Sequence, residues 1–222
     1  YKYGLENVDL VFVQNIDNQK NLLTYHKKKS IVFKNVFEIL EPKSTIKNCI
    51  LWVSRFDTMK NPYLFLELAK KTPQEKFVMI CPKSLMPKEW GELERASKEI
   101  SNLEFIEKVP FEEIQKYFDE AKIFVNTSDF EGYPNTFIQA GKGKTPILSF
   151  IVNPDNFISQ YNCGYACNGN FELMLEKLQC LLNNKEDWSS KSDAIFDYIK
   201  SQHDIEKAIP KLKKHITSLL EK

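Results

Sequence analysis

Two stretches of the chain carry residue types suited to handling anions and hydroxyls. The first, Arg55-Phe56-Asp57-Thr58-Met59-Lys60-Asn61-Pro62, sets a guanidinium and an ammonium at either end of a short loop that runs into a helical pattern. Two cations beside the free amides of a helix start suit one anionic group such as a phosphate. Arg55 and Arg95 are the only arginines among 31 cationic residues, and a permanently charged, fork-shaped donor matches phosphate better than lysine does. On spacing alone, two surface cations in a solvated loop remain the simpler reading. The second stretch runs from Thr127 to Pro146 and holds three of the seven glycines. Glu131 at its tip is placed to accept from hydroxyls, Gly132 lets a ligand approach the backbone, and a helix from Asn135 offers unpaired amides. Neither a Walker loop nor a dinucleotide fingerprint is present, because the glycine spacing and the Lys-Ser/Thr pair are missing. Together the loops point to an anionic, hydroxyl-rich ligand.

Loops of this kind work only if a scaffold brings them together, and the pattern along the chain supplies one. Short β-rich runs alternate with longer stretches of helical period, which predicts an α/β fold, Rossmann-like, with a mainly parallel sheet and helices on both faces. Strands are expected near 9–14, 30–34, 49–54, 76–81, 103–107, 123–126 and 146–150, with a weaker one at 165–167. Helices are expected at 16–25, 62–71, 89–100, 112–121, 135–142, 171–183 and 188–201. In such sheets ligands sit beyond the carboxyl ends of strands, where both loops fall. The polar stretch 39–48, with Pro42, reads as a linker. Ile205, Ile209, Leu212, Ile216 and Leu219 or Leu220 recur at helical spacing; this face either covers the domain's own sheet or reaches across to another domain.

The 222 residues carry 31 Lys plus Arg against 30 Asp plus Glu, a formal charge of +1, with 42% hydrophobic residues. That balance gives no general surface for nucleic acid, suits a globular core, and is not that of a disordered chain. The longest apolar run, Pro146 to Val152, is far below the roughly 20 residues that span a bilayer. Five cysteines, an odd number partly set in strand-like runs, read as packing residues in a reducing compartment. The start Tyr1-Lys2-Tyr3-Gly4, without Met or leader, reads as processed or cut from a longer chain.

With both loops in view, the chain resembles the retaining nucleotide-sugar glycosyltransferases of GT-B architecture, the large fourth family of that classification, in their C-terminal donor-binding domain. The likeness runs from Ile50 to Cys167 and is most specific at residues 53–62, Val-Ser-Arg-Phe-Asp-Thr-Met-Lys-Asn-Pro, and 128–140, Ser-Asp-Phe-Glu-Gly-Tyr-Pro-Asn-Thr-Phe-Ile-Gln-Ala. It implies that Arg55 and Lys60 hold the donor diphosphate and that Glu131 binds hydroxyls of the transferred sugar. It also implies that Gly132, Tyr133, Pro134, Asn135 and Thr136 line the site, that a UDP- or GDP-sugar is the donor, and that no metal or other cofactor is needed. One departure stands out: the family's second glutamate, which binds the nucleotide ribose, is Gln139 here. The family's usual glycine after the strand at 76–81 is also replaced, by Pro82 and Lys83, which leaves base recognition around Cys81 to Ser84 and Lys108 to Pro110 open.

The opening segment looks like the passage from the N-terminal to the C-terminal domain. The resemblance therefore implies a crossover over 1–38, a linker at 39–48, a donor domain over 49–203 and a C-terminal helix over 204–222. The acceptor site, and the family's histidine near the reacting centre, would lie in an N-terminal domain outside this chain, leaving the chain inactive alone. His26, His203 and His215 match no such histidine and read as surface or packing residues. The expected setting is the cytoplasm, peripheral to a membrane if the other domain binds one, and the expected role is polysaccharide or glycoconjugate synthesis. Other readings are a GT-B nucleotide-sugar epimerase, which shares a diphosphate site, and a non-catalytic α/β module whose donor site has decayed at Gln139.

Overall fold

The computed structural model describes residues 2–42, 46–83 and 86–221. In chain order the elements are α1 (Lys2–Asn7), β1 (Phe12–Val13), α2 (Ile16–His26), β2 (Ile31–Val32), β3 (Cys49–Val53), α3 (Pro62–Lys71), β4 (Phe77–Ile80), α4 (Pro87–Lys98) and β5 (Leu103–Ile106). Then follow α5 (Ile114–Glu120), β6 (Ala121–Asn126), α6 (Asn135–Lys142), β7 (Ile147–Ser149), α7 (Phe157–Gln160), β8 (Gly164–Ala166), α8 (Phe171–Asn183), α9 (Lys185–Gln202) and α10 (Ile205–Leu220). Each expected strand and helix has a counterpart, shifted by a few residues at its ends. The sequence pattern missed α1, α7 and two single 3-10 turns, Thr58–Lys60 and Pro154–Asn156, all too short to show a period.

Six strands form one parallel sheet in the order β5-β4-β3-β6-β7-β8. Alternate side chains of each strand point to opposite faces, and the core divides accordingly. Ile50, Trp52, Phe77, Met79, Ile123 and Val125 pack with Phe65, Leu93 and Leu178 of α3, α4 and α8. Leu51, Val78, Phe124 and Ile147 pack with Phe118, Phe137, Ile158 and Ile199 of α5, α6, α7 and α9. Helices thus cover both faces, which makes the sheet a buried, doubly wound one and explains why its strands read as continuous apolar runs.

The opening segment forms a separate small β-α-β unit in which β1 and β2 pair in parallel, Phe12 opposite Ile31 and Val13 opposite Val32. It also settles the C-terminal helix. Among the described side chains of α10 Ala208 alone is buried, with Ile209 41% and Ile216 46% exposed, which is not the burial of a helix laid on a central sheet. Instead the His215 ring meets Phe12 of β1 at 6.2 Å, and the chain before α10 pairs with Phe37 through Phe37 N to His203 O and Ile205 N to Phe37 O. The helix runs on through Pro210. Part of the expected linker, residues 43–45, lies outside the described residues, as do Lys222 and the Ser84 end of the base-recognition stretch. Among the described residues no helix is long and apolar enough to cross a membrane.

Candidate functional site

From β3 the chain winds outward through β4 and β5 on one side, then returns to place β6, β7 and β8 on the other. The β3/β6 boundary is therefore the switch point of the sheet, where diverging loops leave a crevice at the carboxyl ends of the strands. The loop of Arg55 and Lys60 leaves β3 there, and the loop of Glu131 leaves β6.

Side chains stitch these two loops together. The Trp52 indole donates to the Thr127 hydroxyl at 2.9 Å, and that hydroxyl donates to the Lys60 carbonyl. Asn61 donates to Asp129 Oδ1 at 2.6 Å and to the Thr127 carbonyl at 3.3 Å, while the Asp129 N–H donates to the Met59 carbonyl at 2.9 Å. Asn61 can do so because it takes a left-handed conformation, φ 45° and ψ 50°, which asparagine tolerates better than most residues. Pro62 follows as the first residue of α3, where a missing N–H costs nothing.

Glu131 and Lys60 meet at the centre. Lys60 Nζ lies 2.9 Å from Glu131 Oε2, each side chain 19% exposed. The other carboxylate oxygen accepts from Asn126 Nδ2 at 2.8 Å and from the Ser128 hydroxyl at 2.7 Å. Asn126 is turned for this by its own Oδ1, which accepts from the Ser128 N–H at 3.1 Å. With three donors among the described residues the carboxylate keeps acceptor capacity for a hydroxyl, and with one partner among them the ammonium keeps N–H donors for an oxygen anion. Arg55 is exposed and has no hydrogen-bond or ion-pair partner among the described residues.

The remaining candidates divide. Tyr133 and Pro134 are buried, so they offer backbone rather than side chain. The Tyr133 ring lies between Phe157 and His203, with centroids at 5.6 and 4.9 Å, and burial pushes its phenol well above the usual range. Asn135 starts α6, and its Oδ1 accepts from Asn35 at 2.6 Å. Thr136 is half-buried, and Gln139 is half-buried one turn further along α6 with no partner for its side-chain amide among the described residues. Gly132 and Tyr133 also line a cleft of about 740 Å3 bounded by β1 and α2.

Of the three glycines in this stretch, two serve packing. A Cβ on Gly141 would come within 2.1 Å of Ile199 Cγ1, and one on Gly143 within 2.5 Å of the Phe118 carbonyl oxygen, whereas one on Gly132 would meet only Asn18 Nδ2, at 3.6 Å. Among the described residues no group of three His, Cys, Asp or Glu side chains is placed to hold a metal. Cys163 and Cys167 are buried thiols pushed up to about 12 by desolvation. The supporting residues Asn61, Asn126, Thr127 and Ser128 went unnoticed as functional positions, although all four stand inside or beside the two stretches; Asn15 and His203 gave no such signal.

Residues 47–184, more than half of the chain, match the family model described as "Glycosyl transferases group 1". An uncharacterized glycosyltransferase of Methanocaldococcus jannaschii is 26% identical over 172 residues, which cover 67% of this chain and 41% of that protein. Staphylococcus aureus TarM, solved with UDP, fondaparinux and alpha-GlcNAc-glycerol, superposes with a TM-score of 0.81 at 22% identity over 96% of this chain and 45% of its own. Sucrose-phosphate synthase of Thermosynechococcus elongatus gives 0.84 at 14% identity, over 99% of this chain and 60% of its own. Anabaena HepE, solved with UDP-glucose, gives 0.78 at 12% identity, over 95% and 64%. The chain thus spans roughly two fifths to two thirds of the length of these proteins.

Proposed function

Because the chain belongs to the group 1 glycosyl transferases, we propose that it forms the donor-binding part of a retaining glycosyltransferase, which moves a sugar from a UDP- or GDP-sugar to an acceptor hydroxyl in polysaccharide or glycoconjugate synthesis. The observation that carries this reading is the Lys60–Glu131 pair at 2.9 Å, held at the switch point by both loops. It sets a cation for phosphate beside a carboxylate for sugar hydroxyls, the two chemistries that a nucleotide sugar presents to a protein across its reacting bond.

In this reading the work is electrostatic. As the bond between the sugar and the diphosphate breaks, its electron pair passes to the diphosphate, and Arg55 and Lys60 stabilise the charge that gathers there. Glu131 orients the sugar through its hydroxyls. Tyr133, Asn135 and Thr136 bring backbone N–H groups of the loop and of the start of α6 to the donor, Pro134, which has no N–H, lines the loop between them, and Gln139 faces the ribose. No metal takes part. The acceptor enters from a second, N-terminal domain that closes over the crevice, so the described chain alone binds donor without transferring sugar.

Titration calorimetry of the chain with UDP and GDP, each beside its nucleoside and with chelator present, tests the reading. We expect saturable binding of one diphosphate that survives chelator. Arg55→Ala should weaken it by about 2 kcal/mol, roughly thirtyfold in Kd, and leave nucleoside binding unchanged. Equal losses for nucleotide and nucleoside would overturn the phosphate role of Arg55, and binding lost with chelator would overturn metal independence.

A further inference from the structure

Three side chains from outside the family match at residues 47–184 grip the loop that carries Glu131. Asn15 Nδ2 donates to the Gly132 carbonyl at 2.9 Å, Asn35 Nδ2 donates to Asn135 Oδ1 at 2.6 Å, and His203 Nε2 lies 3.0 Å from the Tyr133 hydroxyl. Asn15 is 4% exposed, and its amide cannot turn over. Its Oδ1 caps α2 by accepting from the Asn18 N–H at 2.7 Å, which leaves Nδ2 to face Gly132.

The consequence lies in the next peptide group. A trans peptide is planar with its C=O and N–H on opposite sides, so a carbonyl held on the Asn15 side puts the Tyr133 N–H on the other side of the loop. That N–H has no acceptor among the described residues. Behind it the Tyr133 ring is fixed by its stack on His203 at 4.9 Å and by its hydroxyl bond to the same imidazole. One peptide is therefore held at its carbonyl by Asn15 and at the following side chain by His203.

We propose that Asn15 is a positioning residue for the donor site: through the Gly132 carbonyl it orients the Gly132–Tyr133 peptide so that the Tyr133 N–H donates to the donor diphosphate. This inference rests on the donor-site reading above. A donor set in place before an anion arrives stabilises it without reorganisation, whereas a peptide that flips presents a carbonyl dipole of the wrong sign. Asn15 belongs to the β1–α2 unit and not to the six-stranded sheet, so donor affinity depends on how that unit is seated.

Calorimetry of the full-length protein with UDP and uridine, or with GDP and guanosine if GDP is what the wild type binds, decides the matter. Asn15→Ser keeps a helix cap but is too short to reach Gly132. It should weaken diphosphate binding by about fivefold or more, the scale of one charge-assisted hydrogen bond, with nucleoside affinity unchanged. Asn15→Asp keeps both cap and size, sets a carboxylate against the carbonyl, and should lose at least as much; it serves if the serine variant does not fold. Diphosphate affinity within twofold of wild type in the folded variant overturns the inference, as does an equal loss for the nucleoside. If the wild type binds neither diphosphate, or Arg55→Ala binds as tightly as wild type, the donor-site reading fails and takes this inference with it. If that control behaves as expected and the Asn15 variants do not, only the inference falls.

Discussion

Gln139 stands on α6 eight residues after Glu131, half-buried and without a partner for its side-chain amide among the described residues. Where a carboxylate accepts from both hydroxyls of a ribose, an amide offers one acceptor, and its N–H2 must find an oxygen instead. Gln139→Glu is therefore expected to tighten nucleotide binding by about 1 kcal/mol, roughly fivefold in Kd. The gain should vanish with a 2′,3′-dideoxy nucleotide, and a gain that persists with that analogue would remove Gln139 from the ribose. Gly132 poses a related question. Neither its backbone nor its neighbours demand glycine, since an added Cβ makes only an ordinary contact at 3.6 Å. Gly132→Ala should leave the denaturation midpoint unchanged and weaken diphosphate binding, and a destabilised variant would assign the glycine to the fold instead.

At the scale of elements, the Lys60–Glu131 spacing depends on the seam between the loops after β3 and β6, and Asn61 holds that seam. Asn61→Ala loses two hydrogen bonds and leaves a residue with a β-carbon at φ 45°, where left-handed backbone costs about 1–2 kcal/mol. Asn61→Gly loses the same bonds but relaxes the backbone, so in urea it should be the more stable of the two by about 1 kcal/mol. Equal midpoints would show that the conformation carries no strain. Gly141 tests the contact between α6 and α9: an alanine Cβ 2.1 Å from Ile199 Cγ1 overpacks the interface, and Gly141→Ala should cost about 1–3 kcal/mol. These elements were legible in the sequence because strands buried on both faces read as short continuous apolar runs, set between helices that show their own period. Arg55, Lys60 and Glu131 were legible because each is a charged residue in a glycine- or proline-marked loop after a strand. The seam was not legible, since Asn61, Thr127 and Asp129 gain meaning only when β3 and β6 become neighbours. Nor was the pairing of Asn15 with Gly132, which requires the β1–α2 unit to dock 117 residues away in sequence. Composition misled at Gly141 and Gly143, whose glycines serve packing.

At the scale of the whole molecule, His203 ties the opening segment, the Glu131 loop and the C-terminal helix together. Fully buried between α9 and α10, its Nδ1 lies 2.7 Å from the Asn35 carbonyl and must donate there, so Nε2 accepts from the Tyr133 hydroxyl. Burial favours the neutral ring: desolvation lowers the His203 pKa to about 4, opposed by the hydrogen bond to the Asn35 carbonyl. A base whose folded pKa lies below its unfolded value of about 6.5 adds stability that is complete above pH 6.5 and is lost as pH falls toward 4. The loss amounts to about 3 kcal/mol, since each pH unit between the two values is worth about 1.4 kcal/mol. Urea denaturation between pH 7.5 and 4 should therefore show a decline that begins near pH 6.5, and His203→Gln, which keeps polar atoms without a titrating ring, should flatten the upper part of that decline. An equally steep fall in His203→Gln between pH 6.5 and 5 would move the sensitivity to other groups and leave His203 as a packing residue alone.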